Sequence, residues 1–185
     1  MYSEAELIEQ LKAGNERAVE ELLERFGDRL LRTAVGICGD IQIAEEVVQD
    51  AMLQACRKIH AFGGHSLLGT WLFRITVNLA KNRLRSGWFK RVSVWDEGKI
   101  NILPDSDTLQ PESAVIRNES CSEILGALGR LPLKYRDVLT LYYLEEFSIN
   151  EISRILEEPE GTVKSRMSRG RALLKAEMSV KEAAY

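Results

Sequence analysis

The 185-residue chain has few cysteines and no long apolar run, and each absence excludes a class of protein. Its three cysteines, Cys38, Cys56 and Cys121, are scattered and odd in number, which is not the pattern of a disulfide framework. Because no apolar run reaches about eighteen residues, the sequence predicts no membrane-spanning helix. The first residues, MYSEAELIEQLKAGNE, are acidic and amphipathic, unlike a secretory signal peptide. We therefore expect a cytoplasmic protein.

Acidic residues are missing from one long window, although the formal net charge is only -3. Residues 51–95 contain eight Lys or Arg and no Asp or Glu, whereas residues 1–50 contain twelve acidic and five basic side chains. A second stretch, residues 161–175, is also basic and free of acid. Charged surfaces usually mix both signs, so this segregation favours two contacts with a polyanion and another partner for the acidic face. The alternative is that these stretches are ordinary solvated helix faces.

Apolar residues recur at helical spacing through most of the chain, which predicts an all-α fold. Helices should lie on either side of a break at Gly14-Asn15. Asp40 should cap a long helix over residues 43–60. The glycine-rich stretch FGGHSLLGT, residues 62–70, should form a loop whose last residue, Thr70, caps the next helix.

The helical period is lost between residues 91 and 112, where two prolines and several acidic residues cluster. That composition is typical of a flexible linker. The sequence therefore predicts two small helical domains, residues 1–90 and 113–185, joined by this linker.

The C-terminal domain contains the pattern of a helix-turn-helix, which begins at Ile149 and ends at Ser168. Ser148 stands three residues before Glu151, as in a capping box, and Pro159 with Gly161 should form the turn. In the second helix Val163, Met167, Gly170 and Leu174 share one face, and small polar and basic residues cover the other. A packed helix with a basic outer face is suited to the major groove of DNA. The alternative is a helical hairpin with a solvated basic face.

Sites for an enzyme or a metal are not evident in the sequence. No glycine-rich phosphate loop, carboxylate pair or histidine beside a nucleophile is evident, so we expect no catalytic residue, cofactor or small-molecule substrate. Cys56 and His60 share a helix face and His65 follows, but zinc requires a fourth ligand and a tighter spacing. We expect a core cysteine and surface histidines, and no metal.

Four stretches together resemble one family. EPEGTVKSRMSRGRALLK resembles the promoter-reading helix of the extracytoplasmic-function (ECF) sigma factors, which belong to the sigma-70 family of bacterial RNA polymerase. LGRLPLKYRDVLTLYYLEEFSINEISRIL resembles the rest of that family's C-terminal domain. AEEVVQDAMLQACRKI is similar to its polymerase-binding helix, and GTWLFRITVNLAKNRLR to its promoter-melting segment. The resemblance covers about residues 8–90 and 113–177.

The resemblance implies a non-enzymatic subunit that binds core RNA polymerase and directs transcription initiation at specific promoters. It implies contacts with a coiled coil of the largest subunit and with the flap region. The coiled coil would be met by the helix that begins at Glu46 and ends at Ile59, through Glu46, Gln49 and Asp50, which share a helix face. It also implies an anti-sigma factor as partner, of a kind that can be anchored in a membrane.

The resemblance also assigns two sets of DNA-binding residues. The melted strand of the minus-ten element would be captured by a set on the first basic helix, and the duplex minus-thirty-five element by a set on the helix-turn-helix. The first set is Trp71, Arg74, Asn78, Lys81, Asn82 and Arg85, and the second is Thr162, Lys164, Ser165, Arg166 and Arg169. For Trp71 a place in the core is favoured over base stacking, and Asn78 could instead bond a neighbouring helix.

Several positions depart from the family pattern. Asn82 stands where the family often has Asp, and the loop carries His65, Leu68 and Gly69 in place of acidic, aromatic and polar residues. Ser153 and Glu160 replace typically apolar or small residues in the helix-turn-helix. These departures leave the base preference at the minus-ten element open. The alternative function is a helix-turn-helix repressor or activator that is not a polymerase subunit, which would not need the first basic stretch.

Overall fold

A computed structural model describes residues 1–86 and 119–182, without the side chains of residues 119–123 and 179–182. This part of the chain contains helices, turns and loops and no strand, as predicted. The predicted linker lies outside the described residues, as do the boundaries of the two predicted domains, so both stay predictions. The helices are α1 (Glu4–Lys12), α2 (Glu16–Cys38), α3 (Ile41–Lys58), α4 (Leu68–Arg85), α5 (Glu119–Arg130), α6 (Leu133–Tyr143), α7 (Ile149–Leu156) and α8 (Glu160–Glu182), with a 3-10 turn at Ile59–Ala61.

Residues 1–86, the N-terminal half, form a bundle in which α2, α3 and α4 pack against one another and α1 covers one end. Asn15 caps α2 by accepting the Arg17 N–H, so the predicted break at Gly14-Asn15 is confirmed. The Asp40 carboxylate accepts the Ile43 N–H at 3.0 Å, which confirms the predicted cap. Gly39, with φ of 73°, ends α2 in the left-handed conformation that glycine adopts without strain.

The prediction that Thr70 caps α4 was wrong. The helix begins two residues earlier, at Leu68, and Thr70 is buried within its first turn. The Leu68 N–H is instead bonded by the Glu4 carboxylate of α1, at 3.1 Å. A distant side chain thus replaces the local cap, and Leu68 is fully buried in the core.

Residues 119–182, the C-terminal half, contain α5 to α8. Pro132 immediately precedes α6, as its lack of an N–H predicts. Ser148 and Glu151 form the predicted capping box at the start of α7. Helix α8 packs on α5, α6 and α7, so the helix-turn-helix is supported from behind by two further helices.

The two halves share one continuous hydrophobic core in which α2 packs on α5 and α6, and α4 packs on α7. Gly36 of α2 faces Thr140 of α6 and the adjacent Leu144. A Cβ atom at this position would lie 2.7 Å from Thr140 Cγ2 and 3.0 Å from Leu144 Cδ1. Glycine is unfavourable inside a helix, but here its missing side chain leaves room for the side chains of Thr140 and Leu144.

Candidate nucleic-acid and protein interfaces

The turn between α7 and α8 is made by Glu157, not by Gly161. Glu157 has a left-handed φ of 56° and its N–H bonds the Ser153 carbonyl oxygen. The Ser153 hydroxyl donates to the Glu158 carbonyl oxygen at 2.6 Å, which holds the chain as it leaves α7. Gly161 lies inside the first turn of α8 without a positive φ, so its predicted role in the turn was wrong. Ser153, which departs from the family pattern, therefore stabilises the turn between α7 and α8.

The two faces of α8 follow the sequence prediction. Val163 is fully buried and Met167 is 3% exposed. Gly170 is also buried, and a Cβ atom there would lie 3.0 Å from Leu139 Cδ1. The outer face carries exposed Lys164, Ser165, Ser168, Arg169 and Arg171. The apolar stripe therefore fixes the rotation of the helix and directs a polar, basic surface outward.

The predicted minus-thirty-five residues, which we call the α8 surface, are Thr162, Lys164, Ser165, Arg166 and Arg169. Arg166 is half-buried and bonds the Glu158 carboxylate at 2.9 Å. Lys164 lies 3.6 Å from Glu160. Arg169 is exposed and makes no ion pair within residues 1–86 and 119–182. Of the three cations, Arg169 is thus the most available for an external anion.

Glu160, a departure from the family pattern, is held by its neighbours. The Asn150 amide donates to its carboxylate at 3.1 Å, and this bond, with the nearby Lys164 charge, lowers the pKa of Glu160. An ionised acid at the first residue of α8 also interacts favourably with the helix dipole.

The residues predicted to bind polymerase, Glu46, Gln49 and Asp50, form one exposed face of α3, which we call the α3 patch. Leu53 extends this face by one turn and is 55% exposed. The α4 residue Arg83 lies 3.1 Å from Glu46 and 3.2 Å from Asp50. Neither Leu53 nor Arg83 was predicted from the sequence as part of this face. The spacing of Leu53 from Asp50 could have indicated it, but nothing local indicates a contact from another helix.

The predicted minus-ten residues on α4, which we call the α4 stripe, are divided by the structure. Asn78, Asn82 and Arg85 are exposed. Lys81 is instead half-buried, and its Nζ bonds the Asp137 carboxylate of α6 at 2.8 Å. Arg74 donates to the Arg154 carbonyl oxygen at 2.6 Å and pairs with Glu157 at 3.1 Å. Two of the three cations of the α4 stripe, Arg74 and Lys81, therefore bond groups of the C-terminal half.

Trp71 lies half-buried at the edge of the core, as favoured from the sequence, with its ring centroid 5.1 Å from that of Phe62. The exposed His60 and His65 and the half-buried Cys56 do not form a ligand cluster. Over the described ranges, no three His, Cys, Asp or Glu side chains come together in a way that could hold a metal ion.

An all-helical DNA-binding protein with a helix-turn-helix is the class that the fold and the α8 surface define. The family model for sigma-70 region 2 matches residues 22–90, and the model for sigma-70 region 4 matches residues 121–174. The chain is 31% identical over 176 residues to the ECF RNA polymerase sigma factor SigW of Bacillus subtilis, covering 92% of this chain and 94% of that one. The chain belongs to the ECF sigma factors of bacterial RNA polymerase.

Two further comparisons agree with this assignment. The RNA polymerase sigma-H factor of Pseudomonas aeruginosa is 33% identical over 174 residues, covering 90% of this chain and 89% of that protein. The solved sigma factor RpoE from Bartonella quintana, in complex with the anti-sigma factor NepR, superposes with a TM-score of 0.66 at 26% identity. That match covers 87% of this chain and 96% of the RpoE chain.

The family is one of non-enzymatic transcription initiation factors. No helix in residues 1–86 or 119–182 is long and apolar enough to cross a membrane.

Proposed function

We propose that this sigma factor binds core RNA polymerase through the α3 patch and reads a promoter with two separate surfaces. The α8 surface binds duplex DNA at the minus-thirty-five element. The α4 stripe captures the non-template strand of the minus-ten element after melting. The chain supplies no catalytic group to the reaction; it positions the promoter on the polymerase.

The observation that carries the proposal is the outer face of α8, which is exposed and, from residue 161 to residue 175, free of acid. The helix cannot roll away from this orientation without exposing Val163 and Met167, and burying each such side chain contributes about 1.5–3 kcal/mol. Thr162, Lys164 and Ser165 lie at its N-terminal end, where a recognition helix meets base edges. Arg169, one turn further on, can meet a phosphate or a guanine edge.

The acidic character of the α3 patch favours binding of a protein partner over binding of DNA. Glu46, Gln49 and Asp50 are exposed together, and Leu53 adds an apolar contact beside them. A coiled coil with basic and apolar residues would meet complementary groups on this face. Its approach would compete with Arg83 for the two carboxylates. These exposed ion pairs are weak, so they are a small obstacle.

We also propose an anti-sigma factor as partner, because the similar RpoE chain was solved in complex with the anti-sigma factor NepR. Membrane anchoring of such a partner stays a prediction.

The proposed function is tested by run-off transcription with purified protein and core polymerase on a pool of promoter fragments. We expect specific transcripts only when both are present, and selection of the bound fragments gives the promoter sequence. Tight duplex binding by the protein alone, with no transcript on addition of core polymerase, would support the repressor alternative.

A paired variant tests the α3 patch. Glu46→Gln with Asp50→Asn removes both carboxylates, and we expect core polymerase affinity to fall about tenfold or more, because charge pairs across an interface each contribute about 1 kcal/mol or more. Glu45→Gln is the matched control, since Glu45 is exposed on another face of α3. Equal affinities of the patch variant and the control for core polymerase would remove the patch from the interface.

A further inference from the structure

The basic outer face of α8 begins with one acid, whose position is fixed by two neighbouring side chains. Glu160 is the first residue of α8, and its side chain is 44% exposed. The Asn150 amide of α7 donates to Glu160 Oε1 at 3.1 Å. The Lys164 ammonium lies 3.6 Å from Glu160 Oε2. Each carboxylate oxygen thus has its own partner, so this side chain is oriented in a way that an isolated surface glutamate is not.

Glu160 does not help the protein to bind DNA of any sequence. Duplex DNA carries one negative charge for about every 1.7 Å of its axis, so an acid on this face is repelled by the phosphates. No other acid occurs between residues 160 and 175. An acid at the first residue of a helix interacts favourably with the helix dipole, but that interaction needs no particular orientation of the carboxylate. Helix stability alone therefore does not account for the bond from Asn150.

The pair formed by Glu160 and Lys164 lies at the N-terminal end of α8, where a recognition helix meets base edges. An ionised carboxyl group has about four lone-pair sites, so Glu160 retains free acceptor positions after its bond to Asn150. The Lys164 side chain is 60% exposed, and its ammonium keeps N–H donors free beside Glu160. The pair thus presents an acceptor and a donor side by side to solvent.

A C·G base pair presents the matching pattern in the major groove. Cytosine offers its N4 amino group as a donor, and guanine offers O6 and N7 as acceptors. The cytosine amino group and guanine O6 are adjacent, because they are bonded to each other within the pair. Acidic side chains accept from cytosine N4, and lysine donates to guanine O6 or N7. An acceptor beside a donor, as on Glu160 and Lys164, is the complement of this edge.

The other base pairs fit the two side chains less well. With guanine in place of cytosine, the carboxylate would face two acceptors with no proton between them. Thymine likewise offers the carboxylate no donor. Adenine has an amino donor at N6, but its partner thymine offers Lys164 one acceptor and a methyl group in place of the two acceptors of guanine. We therefore expect the discrimination to be strongest against guanine and weakest against adenine.

We propose that Glu160 determines base specificity in the minus-thirty-five element, by accepting a hydrogen bond from cytosine N4 while Lys164 donates to the paired guanine. The inference rests on the proposed function, because that function assigns the α8 surface to this duplex. Asn150 is a positioning residue, which holds the carboxylate in place. Glu160 thus lowers the affinity for DNA in general and raises the preference for one sequence.

Selection of duplex fragments tests this role. The holoenzyme, formed from the purified chain and core polymerase, is given fragments that are randomised across the minus-thirty-five element. The wild type should select C·G over G·C about tenfold or more at one position, because a good contact to a base edge discriminates by about 5- to 150-fold. Glu160→Gln keeps the size of the side chain but adds a donor, and glutamine pairs with adenine N6 and N7. At that position Glu160→Gln should prefer A·T.

Lys164→Met identifies the base pair independently. It should lose the preference at the same position and, because it also removes a cation, it should bind every fragment more weakly. Glu160→Gln should instead bind fragments without the C·G pair at least as tightly as the wild type does, since it removes a repulsion. The control is Glu146→Gln, because Glu146 is an exposed acid of the same half with no ion pair in the described part of the chain. It should keep the wild-type preference at every position.

Asn150→Ala tests the positioning role. It removes the amide donor but retains the Glu160 charge and the capping box of α7, which is formed by Ser148 and Glu151. We expect the preference for C·G to fall about two- to tenfold, as for the loss of one hydrogen bond, without a shift to A·T. Adding Asn150→Ala to Glu160→Gln should change the base preference no further, because both act through one carboxylate. A merely structural effect would weaken binding of all fragments and would add in the double variant.

Three results would overturn the role of Glu160. The first is a Glu160→Gln variant, folded by circular dichroism, that keeps the wild-type motif or loses affinity for every fragment equally. The second is a change at a position where the wild type does not select C·G, or at different positions in Glu160→Gln and Lys164→Met. The third is the same change of preference in Glu146→Gln.

The outcome for the proposed function is read separately. Promoter-specific transcription alongside any of these three results refutes the role of Glu160 and leaves the proposed function intact. A wild-type holoenzyme that selects no duplex motif and gives no promoter-specific transcript refutes the proposed function, and the role of Glu160 with it. A change confined to one C·G pair in both Glu160→Gln and Lys164→Met supports both.

Discussion

The two basic surfaces of the protein differ in what covers them. On α8 the cations lie on an exposed face, and the partners of Lys164 and Arg166 come from the same helix-turn-helix. On α4 the partners of Arg74 and Lys81 come from the other half of the chain. A surface paired locally is available in any arrangement of the halves. A surface paired across the interface has its cations bonded by the other half of the chain, so equal basic character does not mean equal accessibility.

The largest expected effect concerns Cys38, at the end of α2 next to the interface. Burial raises the pKa of its thiol from 9.0 to about 12, against a smaller opposite effect of the Arg136 charge. At pH 8 this shift leaves about 1,000-fold less thiolate than an ordinary cysteine has, since each pKa unit is a factor of ten. We expect iodoacetamide to alkylate Cys38 about 1,000-fold more slowly than an ordinary thiol, as measured by peptide mass spectrometry.

Alkylation of Cys38 also reports on the contact between the N-terminal and C-terminal halves. Cys56, half-buried on α3, is the internal comparison, and Gly36→Ala should accelerate alkylation at Cys38 more than at Cys56. Because the pKa of Cys38 is higher in the folded chain, its contribution to stability is complete below pH 9 and is lost as the pH rises towards 12. Rapid alkylation of Cys38 in the wild type would show that this end of α2 is already exposed.

Lys81→Met should have the next largest effect. Its removal leaves the fully buried Asp137 carboxylate without its cation, and breaking such a pair costs about 3 kcal/mol. We expect the free energy of unfolding in urea to fall by about that amount. Arg85→Met, at the exposed end of the same stripe, is the control and should change stability by less than about 0.5 kcal/mol. Similar losses in the two variants would contradict the division of the α4 stripe.

Arg169→Ala tests the α8 surface. We expect duplex promoter binding by the holoenzyme to weaken about tenfold, and the slope of log affinity against log salt to become shallower by about one, as for one lost phosphate contact. Arg130→Ala is the control, because Arg130 belongs to the same half and pairs with Glu177 at 2.8 Å. An unchanged salt slope would remove Arg169 from the phosphate contacts.

Ser148→Ala should have the smallest effect, about 1 kcal/mol, through loss of the α7 cap. Helix α7 packs on both α4 and α8, so this loss should lower the temperature at which duplex binding is lost. Ser3→Ala removes the equivalent capping box of α1, a helix of the N-terminal half. Ser3→Ala should destabilise the protein by a similar amount. It should leave duplex binding unchanged when the variant and the wild type are compared well below their unfolding midpoints.

Local features of the fold were predictable because their causes lie within a few residues. The Asp40 cap and the Ser148–Glu151 capping box depend on neighbours three residues away, and the two faces of α8 follow from the helical period alone. The exposed face of Glu46, Gln49 and Asp50 was predictable for the same reason. The match to a known family then added the biological role that helix geometry cannot supply.

Two predicted helix ends were wrong because another residue took the role that the sequence assigned to Thr70 or Gly161. The sequence predicted Thr70 as the cap of α4. The helix instead begins at the buried Leu68, whose N–H donates to the Glu4 carboxylate of α1. Gly161 was the obvious turn residue, but Glu157 adopts the left-handed conformation, with Ser153 holding the chain just beyond it. In the first case no local pattern could have identified the partner, because it lies 64 residues away.

The sequence by itself determined which helices form, which faces are basic or acidic, and where the helix-turn-helix lies, because these depend on short-range spacing and backbone chemistry. Only the tertiary structure decided which charges are neutralised. Arg83 lies between the α3 carboxylates, Lys81 bonds Asp137, and Glu145 holds α2 through Arg29 and Arg32. The physical reason is that a charge is paired by what packs against it, and packing joins residues that the chain order keeps far apart.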